Sequence, residues 1–250
     1  IGMIVGQIFF IRGKKCFQSD LRRRSSLEQK NLTKVQIDRI KLIIIASLIL
    51  IIFWAAFEQA GGLLNIYAYE KTNRFLDFIN FEIPASWFQS INPLMIIIFG
   101  YFISLIWLKL EEKNFINSSI LKIAVGIIIM GSGFIFMFFA SVEADTYGKS
   151  SMYWLVLAYA LITIGELCAS PVILSYITKL SPKQKVSSIM GIYFATIGLG
   201  NKLAGTIGVY SQQLGEKKVF LGITLICIIV GVTVIIFHNG LKKLAHGRLN

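Results

Sequence analysis

Phe53-Trp54-Ala55-Ala56-Phe57-Glu58-Gln59-Ala60-Gly61-Gly62-Leu63-Leu64-Asn65 sets a single carboxylate at the end of a nearly unbroken apolar run from Leu42 to Phe57. Such a run reads as a membrane-spanning helix. An acidic side chain at the centre of a bilayer costs about 2.5 to 3.5 kcal/mol on insertion scales. Glu58 is therefore expected to be paired, protonated or turned toward a wet cavity. Each of these points to function more readily than to packing.

The whole chain agrees with that reading. It is 55% hydrophobic and only 15% charged over 250 residues, too apolar for an ordinary soluble domain of this length. The net charge of +12 raises nucleic acid as a partner, but the basic residues fall between apolar segments, where a charge-orientation rule puts them. No nucleic-acid binding is expected. Cys16, Cys168 and Cys227 show no ligand or redox spacing and read as small core residues. His238 and His246 have no acidic or cysteine neighbours in sequence, so neither a metal site nor a cofactor is expected.

Six spans are expected, at about 41–68, 85–109, 119–141, 152–178, 185–209 and 218–238. Residues 1–11 are apolar but too short to span. They precede basic residues, the reverse of a signal peptide's order, so they read as the end of a preceding membrane helix. Residues 12–40 form a basic linker that includes Arg22-Arg23-Arg24, and residues 239–250 a polar tail expected to fray. Placing linker and tail in the cytoplasm puts 19 basic residues on that side and 5 on the other. The bias sets both topology and orientation. The third span, with no charge beyond Lys122 at its end, is expected to face lipid as scaffold.

The fourth span holds Ile164-Gly165-Glu166-Leu167-Cys168-Ala169-Ser170-Pro171, and with it a second buried carboxylate. At the rise of an α-helix, Glu58 lies about 18 Å from Glu70 and Glu166 about 21 Å from Met152. The two acids are thus expected at similar depth, each in the first helix of a three-span set. Two inverted three-helix repeats with binding groups at their interface would produce that pattern. Two unrelated carboxylates, each paired with a helix-end carbonyl or water, would also produce it.

Other positions are read in the same way. Asn92 precedes Pro93, which lacks a backbone donor, so its amide either meets a ligand or bonds a neighbouring helix. In the fifth span, Gly191 with Ala195 and Gly200 with Ala204 and Gly208 place small residues four apart, which suits close helix packing. Lys202 is expected to snorkel to the interface.

With these segments in hand, the chain resembles the C-terminal half of the proton-dependent oligopeptide transporters of the major facilitator superfamily. Four stretches carry the resemblance, in family order. They are Phe53-Trp54-Ala55-Ala56-Phe57-Glu58-Gln59 with Gly61; Pro84-Ala85-Ser86-Trp87-Phe88-Gln89-Ser90-Ile91-Asn92-Pro93; Gly165-Glu166-Leu167 through Ser170-Pro171; and Gly200-Asn201 with Ala204-Gly205.

The resemblance implies an all-α polytopic membrane protein whose residues 41–238 form a six-transmembrane-helix bundle. It implies that Glu58 takes part in proton coupling, that Glu166 receives the charged N-terminus of a peptide, and that Asn92 bonds the peptide backbone. Ser170 and Tyr193 are implied as further substrate-binding positions. Tyr193 stands where most members carry a tryptophan, and Gly62 and Leu63 replace a common pair of serines. The implied function is proton-coupled symport of di- and tripeptides across the inner membrane, driven by the proton gradient. The implied partners are small peptides, protons, the lipid bilayer and an N-terminal six-helix half that this chain lacks. A same-family carrier of a non-peptide solute and a non-transporting truncated half remain alternatives. A membrane-embedded enzyme is a third, but neither His-Glu-x-x-His nor Gly-x-Ser-x-Gly occurs.

Overall fold

The structure, a computed structural model, describes residues 6–7, 9, 11–12, 33–113, 118–182 and 185–246. The proposed helix end at 1–11 and most of the basic linker, with Cys16, fall largely outside the described residues. Six long helical spans make up the bundle. α1 covers Lys34–Phe57 and is continued, through a 3-10 turn at Glu58–Ala60, by α2 at Leu63–Glu70. A 3-10 segment at Ala85–Ser90 leads into α3 at Ile91–Glu112. Then come α4 at Ser119–Tyr147, α5 at Met152–Leu180, α6 at Val186–Leu214 and α7 at Glu216–Leu244.

Five of these spans are long and apolar enough to cross a membrane. The exception is α6, equally long at 29 residues but carrying Asn201, Lys202, Gln212 and Gln213.

Three boundaries move for identifiable reasons. α1 starts at Lys34 rather than near 41 because Thr33 and Gln36 form a capping box, with the Gln36 Oε1 accepting from the Thr33 N–H at 2.9 Å. The first span is broken rather than continuous. Gly61 and Gly62 follow the 3-10 turn, and Gly62, at φ −98° and ψ −95°, lies outside the helical region. A glycine pair costs a helix about 1 kcal/mol per residue relative to alanine, which makes this the weak point of the span. The polar tail does not fray where it is described. α7 runs to Leu244, His246 Nε2 meets Asp38 Oδ2 at 3.1 Å, and the Arg39 Nε–H donates to the Ala245 carbonyl at 3.2 Å. The end of the last helix is thus tied to the start of the first.

The third span is not a lipid-facing scaffold. Met130, Phe134 and Met137 of α4 are fully buried, because glycines let α4 sit against two partners. A Cβ at Gly126 would come within 2.8 Å of the Gly165 carbonyl on α5, and one at Gly131 within 2.4 Å of Cys227 Cβ on α7. Close approach of backbones is how small residues hold helices together where lipid supplies no hydrophobic drive. Gly200 does the same for α6, where a Cβ would stand 2.6 Å from Trp54 Cβ of α1. This agrees with the small-residue reading at Gly200, but not at Gly191 or Gly208, where a Cβ would have nothing within 4 Å. Gly165 lies face to face with α4, and its neighbour Glu166 is left half-buried.

At the other end of the bundle a two-residue parallel pairing, β1 at Thr72–Asn73 with β2 at Ser150–Ser151, ties the end of α2 to the connection between α4 and α5. The Tyr67 hydroxyl donates to Ser150 Oγ at 3.2 Å beneath it. These ties brace the short helix beyond the break.

Candidate functional site

Asn92 is the second residue of α3, and Pro93 sits in that helix's first turn, where its missing N–H would have had no intrahelical acceptor. Pro93 therefore begins the helix cleanly, and Asn92 is held at a defined place where the 3-10 segment meets α3. From there the Asn92 Nδ2 donates to Glu166 Oε2 at 2.8 Å and to Thr163 Oγ1 at 3.1 Å. Two of the residues marked in the sequence are thus in direct contact across α3 and α5. Of the two alternatives for Asn92, it bonds a neighbouring helix, and the partner there is the second buried carboxylate.

Thr163 lies three residues before Glu166 on α5, on the same face, and is completely buried. Its hydroxyl donates to the Tyr159 carbonyl at 2.8 Å. One turn further on, the buried Tyr159 hydroxyl donates to the Ala60 carbonyl at 2.6 Å, at the broken turn that begins with Glu58. A continuous set of hydrogen-bonding residues therefore runs from the Asn92–Glu166 pair to the break in the first span.

Glu58 opens that 3-10 turn. Its carbonyl accepts from Gly62 N at 3.2 Å, and its half-buried side chain has no hydrogen-bond or ion-pair partner among the described residues. Gln59 holds the turn in place: its Nε2 donates to the carbonyls of Ala55 at 3.0 Å and Ala204 at 3.2 Å, so α1 and α6 share one buried amide. Ser170 lies one turn beyond Glu166 and is half-buried. Tyr193 is buried in the core, with its ring edge-on to Phe194 at 5.4 Å. Glu58, Ser170 and Tyr193 make no hydrogen bond to Asn92 or Glu166 among the described residues.

Thr163, Tyr159 and Gln59 were not singled out by the sequence. A threonine in mid-helix ordinarily bonds the carbonyl four residues back, as Thr163 does, so it looks unremarkable. The available signal was its spacing of three from Glu166. Gln59 directly follows Glu58 within the quoted motif.

Next to the site, a cavity of about 400 Å³ runs between α3 and α5. It starts at Gly100 and Leu167, the residue after Glu166, and reaches Trp107, Glu111 and Lys122 at the end of the bundle that holds Lys34. Lys122 pairs with Glu111 and lies 5.3 Å from the centre of the Trp107 ring. Pro171 also lines this cavity, and by lacking an N–H it leaves the Leu167 carbonyl without its helical donor. Among the described residues no group of three or more His, Cys, Asp or Glu side chains could hold a metal ion.

A bundle of apolar helices, with a half-buried carboxylate pinned at a helix-to-helix contact and a second at a helix break, is the build of a membrane transporter. The POT family (PTR2) matches residues 20–219. The chain is 37% identical over 188 residues to the peptide transporter YePEPT of Yersinia enterocolitica subsp. palearctica, a match covering 74% of this chain and 36% of that protein. It is 31% identical over 196 residues to a di-/tripeptide transporter of Lactococcus lactis subsp. cremoris, covering 78% and 39%. Among solved structures it superposes on a POT family transporter in complex with 5-aminolevulinic acid, with a TM-score of 0.75, 25% identity, and 96% of this chain against 54% of that one. A peptide transporter in complex with sulfate gives 0.77, 26%, 97% and 46%. The chain belongs to the POT family.

It spans little more than a third of the length of the curated relatives it matches. Membership places it among transporters and not among enzymes, which removes the embedded-enzyme alternative.

Proposed function

We propose that this chain forms the C-terminal six-helix half of a proton-coupled carrier of di- and tripeptides that works by alternating access in the inner membrane, with its terminal polar segments cytoplasmic. The relatives named as peptide transporters support the substrate class. The 19 to 5 distribution of basic residues supports the orientation. Apolar side chains left exposed on α3, such as Ile97, Tyr101 and Phe102, offer a face that a second six-helix half could cover.

The observation that carries the proposal is the contact between Asn92 and Glu166 at 2.8 Å. It leaves a half-buried carboxylate fixed by one hydrogen bond, to which a peptide's ammonium group can add its own donors. Glu58, with no partner of its own among the described residues, is the group free to exchange a proton as the two halves rock. One charge crossing 100 mV is worth about 2.3 kcal/mol, enough to bias such an equilibrium. In this reading Ser170, one turn from Glu166, contacts the bound peptide and Tyr193 borders its side-chain pocket.

A second reading, a same-family carrier of a small non-peptide amine, is favoured by the relative solved with 5-aminolevulinic acid. The test is uptake of labelled dialanine into vesicles carrying the complete transporter, driven by an inward proton gradient, with trialanine and 5-aminolevulinic acid as competitors. Competition by trialanine supports the peptide reading. Uptake of labelled 5-aminolevulinic acid in vesicles that take up no dialanine supports the second.

A further inference from the structure

We infer that Thr163 is a positioning residue that makes the Asn92–Glu166 site an acceptor-only site, and so determines its selectivity for a free primary ammonium over an acylated nitrogen. The inference rests on the reading above that Glu166 receives the substrate's amine.

A threonine hydroxyl has one proton to give. In Thr163 that proton goes to the Tyr159 carbonyl at 2.8 Å, and a carbonyl can only accept, so the direction of this bond is settled by the backbone. Toward Asn92, at 3.1 Å, the Thr163 oxygen can then act only as an acceptor. The Asn92 side chain must therefore turn its NH2 group, and not its carbonyl, toward Thr163. The orientation of an Asn amide follows from its partners, and here the Tyr159 carbonyl, through a single intervening hydroxyl, and the Glu166 carboxylate both turn its NH2 group toward α5.

The same NH2 group donates to Glu166 Oε2 at 2.8 Å, so both amide protons are used. Asn92 Oδ1 and Glu166 Oε1 are left for a ligand, and when Glu166 is ionised neither can donate. A primary ammonium brings three donors and satisfies both. An N-acetyl group brings one N–H and a carbonyl oxygen with no donor to meet it. Thr163 is fully buried, so water does not compete for its hydroxyl.

Without the Thr163 oxygen, one amide proton of Asn92 loses its partner and becomes available to the ligand, while the Glu166 carboxylate still holds the other. The site then offers a donor as well as acceptors, and discrimination against acylated nitrogen falls.

The experiment compares inhibition of labelled dialanine uptake by unlabelled dialanine and by N-acetyl-dialanine, in vesicles carrying the complete transporter. The wild type should prefer the free amine. Thr163→Val should lower that preference by up to about tenfold, the size of one hydrogen bond between neutral groups, and Thr163→Ser should restore it. A general packing defect would weaken both inhibitors alike and leave their ratio unchanged. An unchanged ratio in Thr163→Val overturns the inference, as does a Thr163→Ser variant that loses as much preference as the valine. If the valine variant does not accumulate, Thr163→Ala against Thr163→Ser is judged by the same ratio. A wild type with no preference for the free amine overturns the reading of Glu166 itself, a failure distinct from the others because it appears before any substitution.

Discussion

The Tyr159 hydroxyl donates to the Ala60 carbonyl at 2.6 Å, joining the helix that carries Glu166 to the turn that Glu58 opens. Ala60 sits at the end of the 3-10 turn, where helical carbonyls lose their regular donors. Tyr159 supplies one from a different span. Any movement of α2 against α1 must therefore either carry α5 with it or break this bond.

Tyr159→Phe removes the donor and leaves a buried carbonyl unsatisfied, at a cost of about 1 to 3 kcal/mol. The melting temperature of the purified protein in detergent should fall by about 2 to 4 °C for each kcal/mol lost. An unchanged melting temperature would mean that the bond does not hold the broken turn in place.

Gly165→Ala should be far more harmful than its one methyl group suggests. The new Cβ would meet the Gly126 carbonyl at 2.6 Å and Met130 N at 2.7 Å, both on the backbone of α4, which cannot swing aside. Overpacking of this kind costs about 1 to 3 kcal/mol. Gly198→Ala, where nothing lies within 4 Å inside α6, is the matched control and should raise thermal stability slightly, since alanine is the better helix former. Equal effects of the two substitutions would contradict the packing of α4 on α5.

The docked end of α7 is tested by chemistry rather than by stability. With Asp38 and His246 replaced by cysteines in a background lacking Cys16, Cys168 and Cys227, a short bifunctional thiol reagent should link the two positions within minutes. In the native pair the ends of the two side chains meet at 3.1 Å, and the reagent spans the gap that the shorter cysteines leave. A frayed tail would give slow and incomplete linking.

Much of this architecture was legible in the sequence because membrane spans announce themselves through length and hydropathy alone. Six apolar runs became six spans, and the motifs around Asn92 and Glu166 pointed to two residues that the structure puts in contact. What hydropathy does not encode is which face of an apolar helix meets protein. α4 reads like a lipid-facing helix, yet it lies between α5 and α7. The distinction resides in Gly126 and Gly131, whose role becomes visible only when their partners on other helices are known. The Asp38–His246 contact joins residues 208 positions apart, beyond the reach of any local pattern. Thr163 was overlooked because its bond to Tyr159 is what a mid-helix threonine does anyway, and only the second bond, from Asn92 on another helix, gives it a role. The break after Glu58 was marked by Gly61-Gly62 but read through, since a glycine pair permits a break without requiring one.

The most direct test of the central claim, that Glu58 exchanges the proton while Glu166 holds the substrate, compares two activities of one labelled dipeptide in the same vesicles. Proton-driven uptake and gradient-free counterflow are measured for the wild type, Glu58→Gln and Glu166→Gln of the complete transporter. The account predicts that Glu58→Gln loses driven uptake and keeps counterflow, whereas Glu166→Gln loses both. Driven uptake surviving in Glu58→Gln, or both activities surviving in Glu166→Gln, would contradict it.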